Sequence, residues 1–211
     1  MVTDKNHPNL FNFFYLPSTY LIIANCIPIV GVVFFDWSLF QILMVYWMEN
    51  IVIAFYTILK MVKASSRFMK IPGRSQGGRL TVVFIISFFI IHFGGFVFVH
   101  WVFIHVLFGP SSAFFNGQVE IIPLLITFFI FLVSHGISYW QNFIAGGEFN
   151  KVSPIDMMLA PYSRIVVMHL TVLAAGFVFA IFSLNRFFRI IIIIIKTVID
   201  YRLHSRQNKK I

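Results

Sequence analysis

The residues of this sequence that could do chemistry are ionisable side chains placed inside long apolar runs. Glu49, followed by Asn50, lies in the middle of one run, and His92, His135 and His169 lie in three others. A charge near the centre of a membrane helix costs about 2.5–3.5 kcal/mol on insertion scales, so such a side chain faces the protein interior and needs a partner. We therefore predict that Glu49 and the three histidines form one polar site.

A carboxylate surrounded by imidazoles supports two kinds of chemistry. These groups bind a divalent metal, zinc or iron, and leave a coordination position open for water or substrate. Buried Glu and His side chains also take up and release protons, and they form relays in pumps and transporters. A haem is disfavoured, because the predicted fourth span offers only His135 as an axial ligand.

The familiar catalytic motifs identify no reaction. No HExxH or P-loop pattern occurs in the chain, so the catalytic residues, and whether the protein is an enzyme, stay open. If it is an enzyme, the metal would activate water or oxygen, with Glu49 as a ligand or general base.

Further polar residues lie on the same predicted helices. In the fourth span His135, Tyr139 and Asn142 are at positions i, i+4 and i+7, so they share one helix face. The secondary contributors to the predicted site are Asn50, His100, Tyr139, Asn142, Tyr162 and Arg164.

Helix rise gives the depth of each ionisable group in the bilayer. Counted from the ends of the predicted spans at about 1.5 Å per residue, Glu49, His92 and His135 fall near the midplane. His169 falls nearer the cytoplasmic side and His100 nearer the outer side. The site is therefore predicted at mid-membrane.

The composition of the 211 residues assigns the chain to a membrane. Hydrophobic residues make up 59% and charged residues 11%, against about 45–50% and about 25% in soluble globular proteins. Phe occurs 28 times, and the mean hydropathy is +0.89. So few charges could not cover this apolar surface in water. The lipid bilayer is the predicted partner, and the cell membrane is the predicted location.

The apolar segments predict an all-α bundle of about six membrane-spanning helices. Most of the segments are long enough to cross about 30 Å of hydrocarbon. Residues 1–17 form an interfacial lead-in, residues 18–203 the membrane domain, and residues 204–211 a basic cytoplasmic tail. The predicted spans are residues 18–35, 38–62, 80–108, 119–145, 161–184 and 187–203.

Turn-forming residues separate these spans. Residues 36–38 form a tight turn and a helix start, and residues 72–78 break the chain inside a basic loop. Residues 146–160 form another loop, which Pro161 ends at the first turn of the fifth span.

Arg164 opens the fifth predicted span on its cytoplasmic side. The short loop before it is expected to bring Glu148 and Asp156 within reach. Besides a role in the site, Arg164 could therefore serve as a topology anchor or pair with a charge of this loop.

The distribution of the basic residues behind the net charge of +9 predicts the orientation. Basic residues cluster between Lys60 and Arg79 and again between Arg202 and Lys210, in both cases just outside apolar runs. Cytoplasmic Lys and Arg orient membrane helices in this way. Both termini are therefore predicted in the cytoplasm, and nucleic acid is not a predicted partner. Protein partners and the oligomeric state stay open.

The sixth predicted span has an alternative structural interpretation. Ile190–Ile195 are apolar all round, and Lys196 follows them early. Its side chain is expected to snorkel towards the interface, with Asp200 one turn further on as a pairing partner. The alternative is a short surface helix after five spans, which would put the C-terminus outside, against the basic tail.

Several strings of residues stand out along the predicted spans. They are Tyr46-Trp47-Met48-Glu49-Asn50 (YWxEN), His92-Phe93-Gly94 (HxG), Ser134-His135-Gly136, and Pro161-Tyr162-Ser163-Arg164-Ile165 with His169 (PYxRI…H). From the second span to the C-terminus the chain resembles a family of prokaryotic multi-pass membrane proteins that carries a domain-of-unknown-function label. The resemblance implies a membrane assignment and a set of motif residues, and it implies no reaction. Phe93 departs from the family, in which Tyr is expected.

Three functional hypotheses follow from the sequence. The leading one is a mid-membrane polar or metal site formed by Glu49, His92, His135 and His169. The second is a component of a proton- or ion-coupled transporter that uses the same residues. The third is a scaffold subunit without catalysis, in which the polar groups only hold helices together. The substrate stays open.

Overall fold

The computed structural model describes residues 27–68, 75–111, 119–181 and 186–208. This part of the chain is helical and contains no strand, which agrees with the predicted all-α class. A π-helix, Tyr139–Ala145, and a 3-10 helix, Glu148–Asn150, follow α4. The α-helices are α1 (described over residues 27–35), α2 (Leu39–Phe68), α3 (Ser75–Phe108), α4 (Ile121–Ser138), α5 (Pro154–Leu159), α6 (Tyr162–Ile181) and α7 (Arg186–Asn208).

Four helical segments of the described part are long and apolar enough to cross a membrane. They are Leu39–Ser66, Gly78–Phe108, Ile121–Ala145 and Pro154–Phe177. These segments confirm the four predicted spans from 38 to 184 as candidate spans. The lead-in over 1–17 and most of the first predicted span lie outside the described residues.

The sixth predicted span, residues 187–203, corresponds to the helix α7, which is not one of these four segments. Its stretch contains Arg189, Lys196, Asp200 and Arg202. These charges lower its apolarity, so length and composition alone do not identify it as a span.

The start of α2 is specified locally, as predicted for residues 36–38. Asp36 has a left-handed backbone, with φ 49°. The backbone N–H of Ser38 donates to Oε1 of Gln41 at 3.0 Å, and the backbone N–H of Gln41 donates to Oγ of Ser38 at 3.4 Å. This reciprocal pair satisfies two N–H groups that a helix start leaves without partners.

Helix α2 is the central helix of the described bundle. Half of its candidate span is buried, against 11% of the α3 span and 17% of the α4 span. The indole Nε1 of Trp47 donates to the carbonyl of Val97 on α3 at 2.8 Å, and the hydroxyl of Tyr56 donates to the carbonyl of Leu132 on α4 at 2.9 Å. The polar residues of α2 therefore face other helices.

The outer helices expose large apolar side chains. Ile91 on α3 is 76% exposed and Ile122 on α4 is 72% exposed. A soluble protein rarely exposes long apolar surfaces of this kind. These faces are compatible with contact to a lipid bilayer.

The predicted loop over 146–160 is wrong in part, because it contains two short helices. At the start of α5, Ser153 and Asp156 form a reciprocal capping box, in which Oγ of Ser153 donates to Oδ2 of Asp156 at 2.6 Å. Met157 is buried in a cluster that includes Met61 and Phe143. Burial of this apolar side chain explains why the segment folds onto the bundle.

The predicted break at residues 72–78 also extends too far. Helix α3 begins at Ser75 and runs through Gly77 and Gly78. Glycine costs about 1 kcal/mol relative to alanine inside a helix. The long apolar run that follows is enough to continue the helix through them.

Helices α2 and α4 approach closely at Gly136. A Cβ atom added there would lie 2.6 Å from the hydroxyl of Tyr56, while a Cβ atom added at Gly95 would meet nothing within 4 Å. We expect Gly136→Ala to lower the free energy of unfolding by about 1–3 kcal/mol, because the Tyr56 hydroxyl must leave its bond to Leu132. Gly95→Ala should leave stability unchanged or raise it, since alanine favours a helix. Thermal unfolding in detergent measures both, and equal effects would contradict the close approach.

Candidate functional site: a buried charge network

The site is centred on the carboxylate of Glu49, in the middle of α2. Glu49 is 3% exposed. Its Oε1 accepts a hydrogen bond from Nη1 of Arg164 on α6 at 3.4 Å, and its Oε2 accepts one from Nζ of Lys196 on α7 at 3.2 Å. One buried carboxylate therefore contacts cations from two other helices.

Lys196 extends this network to a second carboxylate. Its Nζ donates to Oδ2 of Asp200, one turn further along α7, at 2.7 Å. The same atom lies 3.9 Å from the centroid of the Tyr46 ring, in a cation–π contact. Arg164, Glu49, Lys196 and Asp200 alternate in sign, so the charge network of these four residues is formally neutral.

The predicted pairing of Lys196 with Asp200 is confirmed, but the predicted snorkelling is wrong. The Lys196 side chain is 4% exposed. A lysine snorkels when the interface is the nearest polar surroundings. Here the ammonium has two carboxylates inside the bundle, which provide a closer partner.

Two polar atoms beside the charge network lack hydrogen-bond partners in the described part of the structure. The amide Nδ2 of Asn50 donates to the backbone carbonyl of Tyr46 at 2.9 Å. The amide Oδ1 of Asn50 and the hydroxyl of Tyr46 are buried and make no hydrogen bond there. A buried polar atom left in this state costs about 1–3 kcal/mol. Such atoms commonly bind internal water.

His135 lies on the α4 side of this region. It is close enough to Glu49 for an electrostatic interaction. Its ring stacks on Tyr56 at 6.4 Å between centroids, and Tyr139 lies 5.8 Å from the same Tyr56 ring. His135 and Tyr139, two of the three residues predicted to share one helix face, thus have the same aromatic neighbour on α2.

Asn142, the third residue of that predicted face, bonds to a residue one turn earlier in the chain. Its Nδ2 donates to Oγ of Ser138 at 3.2 Å. Tyr139 and Asn142 lie in the π-helix rather than in α4. The wider π turn changes the angle between residues, so the spacing i to i+7 does not keep one face.

The other two predicted ligands lie on the contact between α3 and α6. Nδ1 of His92 is 2.9 Å from the hydroxyl of Tyr162. His92 is exposed, and its ring packs between Phe88 and Phe96, at 5.0 and 5.2 Å. His92 is therefore partnered away from Glu49.

His169 contacts His100. Nε2 of His100 is 3.2 Å from Nδ1 of His169, and Nδ1 of His100 is 2.7 Å from the backbone carbonyl of Phe96. Counting from the span ends separated these two imidazoles in depth, whereas the structure brings them together. The reason is that the first turn of α6, at Tyr162, lies beside His92 in the middle of α3 rather than at the end of that helix.

The predicted site residues thus divide into three local groups. Glu49 joins Arg164 and lies near His135, whereas His92 pairs with Tyr162, and His169 pairs with His100. In the described residues, no group of three or more His, Cys, Asp or Glu is placed to hold a metal ion. A metal at Glu49 would also have to displace two cations from its oxygens.

The expected loop partners of Arg164 are not its contacts in the network. Asp156 bonds to Ser153 in the α5 cap, and Arg164 instead bonds to Glu49 across 115 positions of sequence. The sequence did signal Asp200, through its i, i+4 spacing from Lys196. It gave no signal that this pair would meet Glu49.

Comparison with known proteins identifies the family. Residues 14–211 match the family of unknown function DUF6498. No curated protein and no solved structure matches the chain. The match covers most of the sequence and confirms the resemblance that the motifs indicated. The chain therefore belongs to the family DUF6498, whose function is not known.

Proposed function

We propose that this protein is a multi-pass membrane protein that moves protons, or an ion coupled to them, across the bilayer. Glu49 is the group that takes up and releases the proton. The observation that carries the proposal is the contact of one buried carboxylate with cations on two other helices, Arg164 and Lys196. Ionisable groups inside membrane helices mark ion pathways and proton relays.

Protonation of Glu49 would act on both contacts at once. Opposite charges about 4 Å apart attract by about 4 kcal/mol at the effective dielectric of partly buried pairs. A proton on Glu49 cancels its charge and removes this attraction from Arg164 and from Lys196 together. The helices α6 and α7 would then lose their ionic contacts with α2, which links proton uptake to helix movement.

The remaining charges limit the free-energy cost of protonating Glu49. Lys196 keeps Asp200 at 2.7 Å when Glu49 is neutral. The Arg164 side chain is 17% exposed, so it retains access to solvent or headgroups. His135, also near Glu49, is a second group that could hold the proton. Neither cation is left buried without a partner.

The unpaired polar atoms support a path for the proton. The Tyr46 hydroxyl belongs to the residue at i−3, on the same α2 face as Glu49, and Oδ1 of Asn50 belongs to the residue that follows Glu49. Both are buried without a hydrogen-bond partner in the described residues. A water molecule bonded to these atoms would stand next to the carboxylate and deliver or accept its proton.

The metal form of the site hypothesis is less well supported at Glu49, because both oxygens are engaged by cations. It predicts near-stoichiometric zinc or iron in washed, detergent-purified protein. The scaffold hypothesis predicts that the charge network affects stability and nothing else. The metal hypothesis is therefore tested by metal content and the scaffold hypothesis by stability, whereas the proposal is tested by proton flux.

Six spans with both termini inside remain part of the proposal. On α7, Ile191, Ile194 and Ile195 are exposed, whereas Lys196 and Asp200 are buried. A helix lying on a membrane surface would put its charges outwards. Apolar residues outside and charges inside are the pattern of a helix surrounded by lipid. This pattern favours α7 as a span over a surface helix.

The first prediction concerns proton flux. We expect proteoliposomes of the full chain, loaded with a pH-sensitive dye, to take up protons after an external acid step under a clamped potential. Glu49→Gln should lower the rate at least tenfold, because the amide cannot carry the proton. Glu120→Gln, which removes an exposed carboxylate at the start of α4, is the matched control and should keep the rate.

A flux equal to that of empty vesicles, or an unchanged flux in Glu49→Gln, would contradict the proposal. The double variant Glu49→Gln/Lys196→Gln guards against a folding defect. It removes one negative and one positive charge, so the network stays neutral. It should fold and should still fail to move protons.

A second prediction concerns stability. Glu49→Gln leaves the buried charge network with a net charge of +1, whereas the double variant keeps it neutral, and an uncompensated charge inside the bundle is destabilising. We therefore expect Glu49→Gln to lower the unfolding temperature more than the charge-balanced double variant does. Equal losses in the two proteins, together with wild-type flux in both, would favour the scaffold hypothesis.

A third prediction tests the topology. In a Cys26→Ser background, Lys209→Cys should be shielded from a membrane-impermeant maleimide added outside intact cells, because the tail is cytoplasmic. Asn116→Cys lies between the third and fourth predicted spans, on the outer side when both termini are inside, so it should react readily and serves as the control. External labelling at position 209 would rule out a cytoplasmic C-terminus.

A further inference from the structure

The histidine pair between α3 and α6 has a defined hydrogen-bonding pattern. A backbone carbonyl can only accept, so Nδ1 of His100 must carry the hydrogen that it donates to Phe96 at 2.7 Å. Nε2 of a neutral His100 therefore presents a lone pair. The contact at 3.2 Å requires that Nδ1 of His169 donates to it. One hydrogen lies between the two nitrogens.

This pattern excludes a through-going proton relay at His100. A relay needs a partner on each side that can give and take a proton. On one side, His100 is bonded to the carbonyl of Phe96, which cannot release a proton. The pair is therefore not a link in a proton path along the α3–α6 contact.

The distance between the two nitrogens matches that between two ligands of one metal ion. Zinc binds imidazole nitrogen at about 2.0–2.1 Å with tetrahedral angles, which places two such nitrogens about 3.3–3.4 Å apart. Nε2 of His100 and Nδ1 of His169 are 3.2 Å apart. A small ion could replace the shared hydrogen with little movement of either helix.

We propose that His100 and His169 bind a divalent transition metal of the zinc type, at a site separate from the Glu49 charge network. The proton on Nδ1 of His169 moves to its Nε2 as the metal enters, so His169 stays neutral and both facing nitrogens offer lone pairs. Imidazole nitrogen is a good ligand for such ions, whereas Mg²⁺ prefers oxygen ligands.

The bond from His100 to Phe96 has the role that second-sphere contacts have in metal sites. A metal-binding histidine usually donates its other N–H to a carbonyl or carboxylate, which fixes the ring and the tautomer. His100 is also fully buried, with a relative exposure of 0%. Its ring is therefore held in place before any ion arrives.

The described residues provide these two ligands and no third His, Cys, Asp or Glu. Two positions of a tetrahedral ion would then be filled by water or by a small anionic or neutral ligand. His169 is only partly buried, so such ligands would reach the ion from its side. Reactive zinc sites usually keep one open position beside three protein ligands, so this site has one protein ligand fewer and one more open position.

His105 provides the matched control on the same helix. Its Nδ1 is 2.9 Å from the backbone carbonyl of Trp101, four residues earlier, as in His100. Its ring packs against Phe40 and Trp101, and no second imidazole lies beside it in the described part of the chain. His105 therefore has the orienting bond without the second nitrogen that the proposed site needs.

The experiment uses Co²⁺ and Zn²⁺ with the full-length protein in detergent, after removal of bound metal with a chelator. We expect one equivalent of Co²⁺ to give the intense visible absorption of a four-coordinate site, and Zn²⁺ to displace it. His100→Gln and His169→Gln should each weaken binding at least tenfold, whereas His105→Gln should bind as the wild type does. Mg²⁺ should not compete.

Two results would overturn the site. One is wild-type protein that takes up no Co²⁺; the other is binding that His100→Gln and His169→Gln weaken no more than His105→Gln does. If His100→Gln does not fold, the partly exposed His169→Gln alone decides the question. Glu49→Gln should retain the metal, so a failure here leaves the flux proposal untouched, and the converse also holds.

Discussion

The contact of the Glu49 carboxylate with two cations is the interaction on which the rest of the structure depends. It joins α2, the most buried of the candidate spans, to α6 and α7 at one point. Bringing charges out of water costs several kcal/mol for each ion, and only close partners offset that cost. Glu49 therefore requires Arg164 and Lys196 where they are, and their helices must pack accordingly. The neutral total of the charge network is a condition for burying it.

The same constraint explains the unusual helix α7. Ile191, Ile194 and Ile195 face outwards, while Lys196 and Asp200 face the bundle. In water this arrangement would be inverted, because charge prefers solvent and apolar surface avoids it. In a bilayer, lipid takes the place of water around the isoleucines, and the charges retain only each other. The orientation of α7 is thus a consequence of the solvent as much as of the sequence.

The histidines follow a second line of contacts, between α3 and α6. His92 meets Tyr162 and His100 meets His169, so partners advance together along both helices. The two helices therefore run in the same direction, as alternate spans of a multi-pass protein do. The bundle separates its ionisable groups into a charge network at Glu49 and an imidazole-rich contact between α3 and α6. Two such regions can have different chemical roles.

The sequence alone determined which segments are apolar enough to span a membrane, that Glu49 needs partners, and which family the motifs resemble. It also predicted the Lys196–Asp200 pair, because a spacing of four residues is local to one helix. Only the tertiary structure decided that Lys196 reaches Glu49 across 147 positions, and that His169 meets His100 rather than Glu49. The physical reason is that runs such as Ile190–Ile195 are apolar on every side. Such a helix has no polar stripe to fix its rotation or its neighbours, so packing alone chooses the partners of its few polar residues.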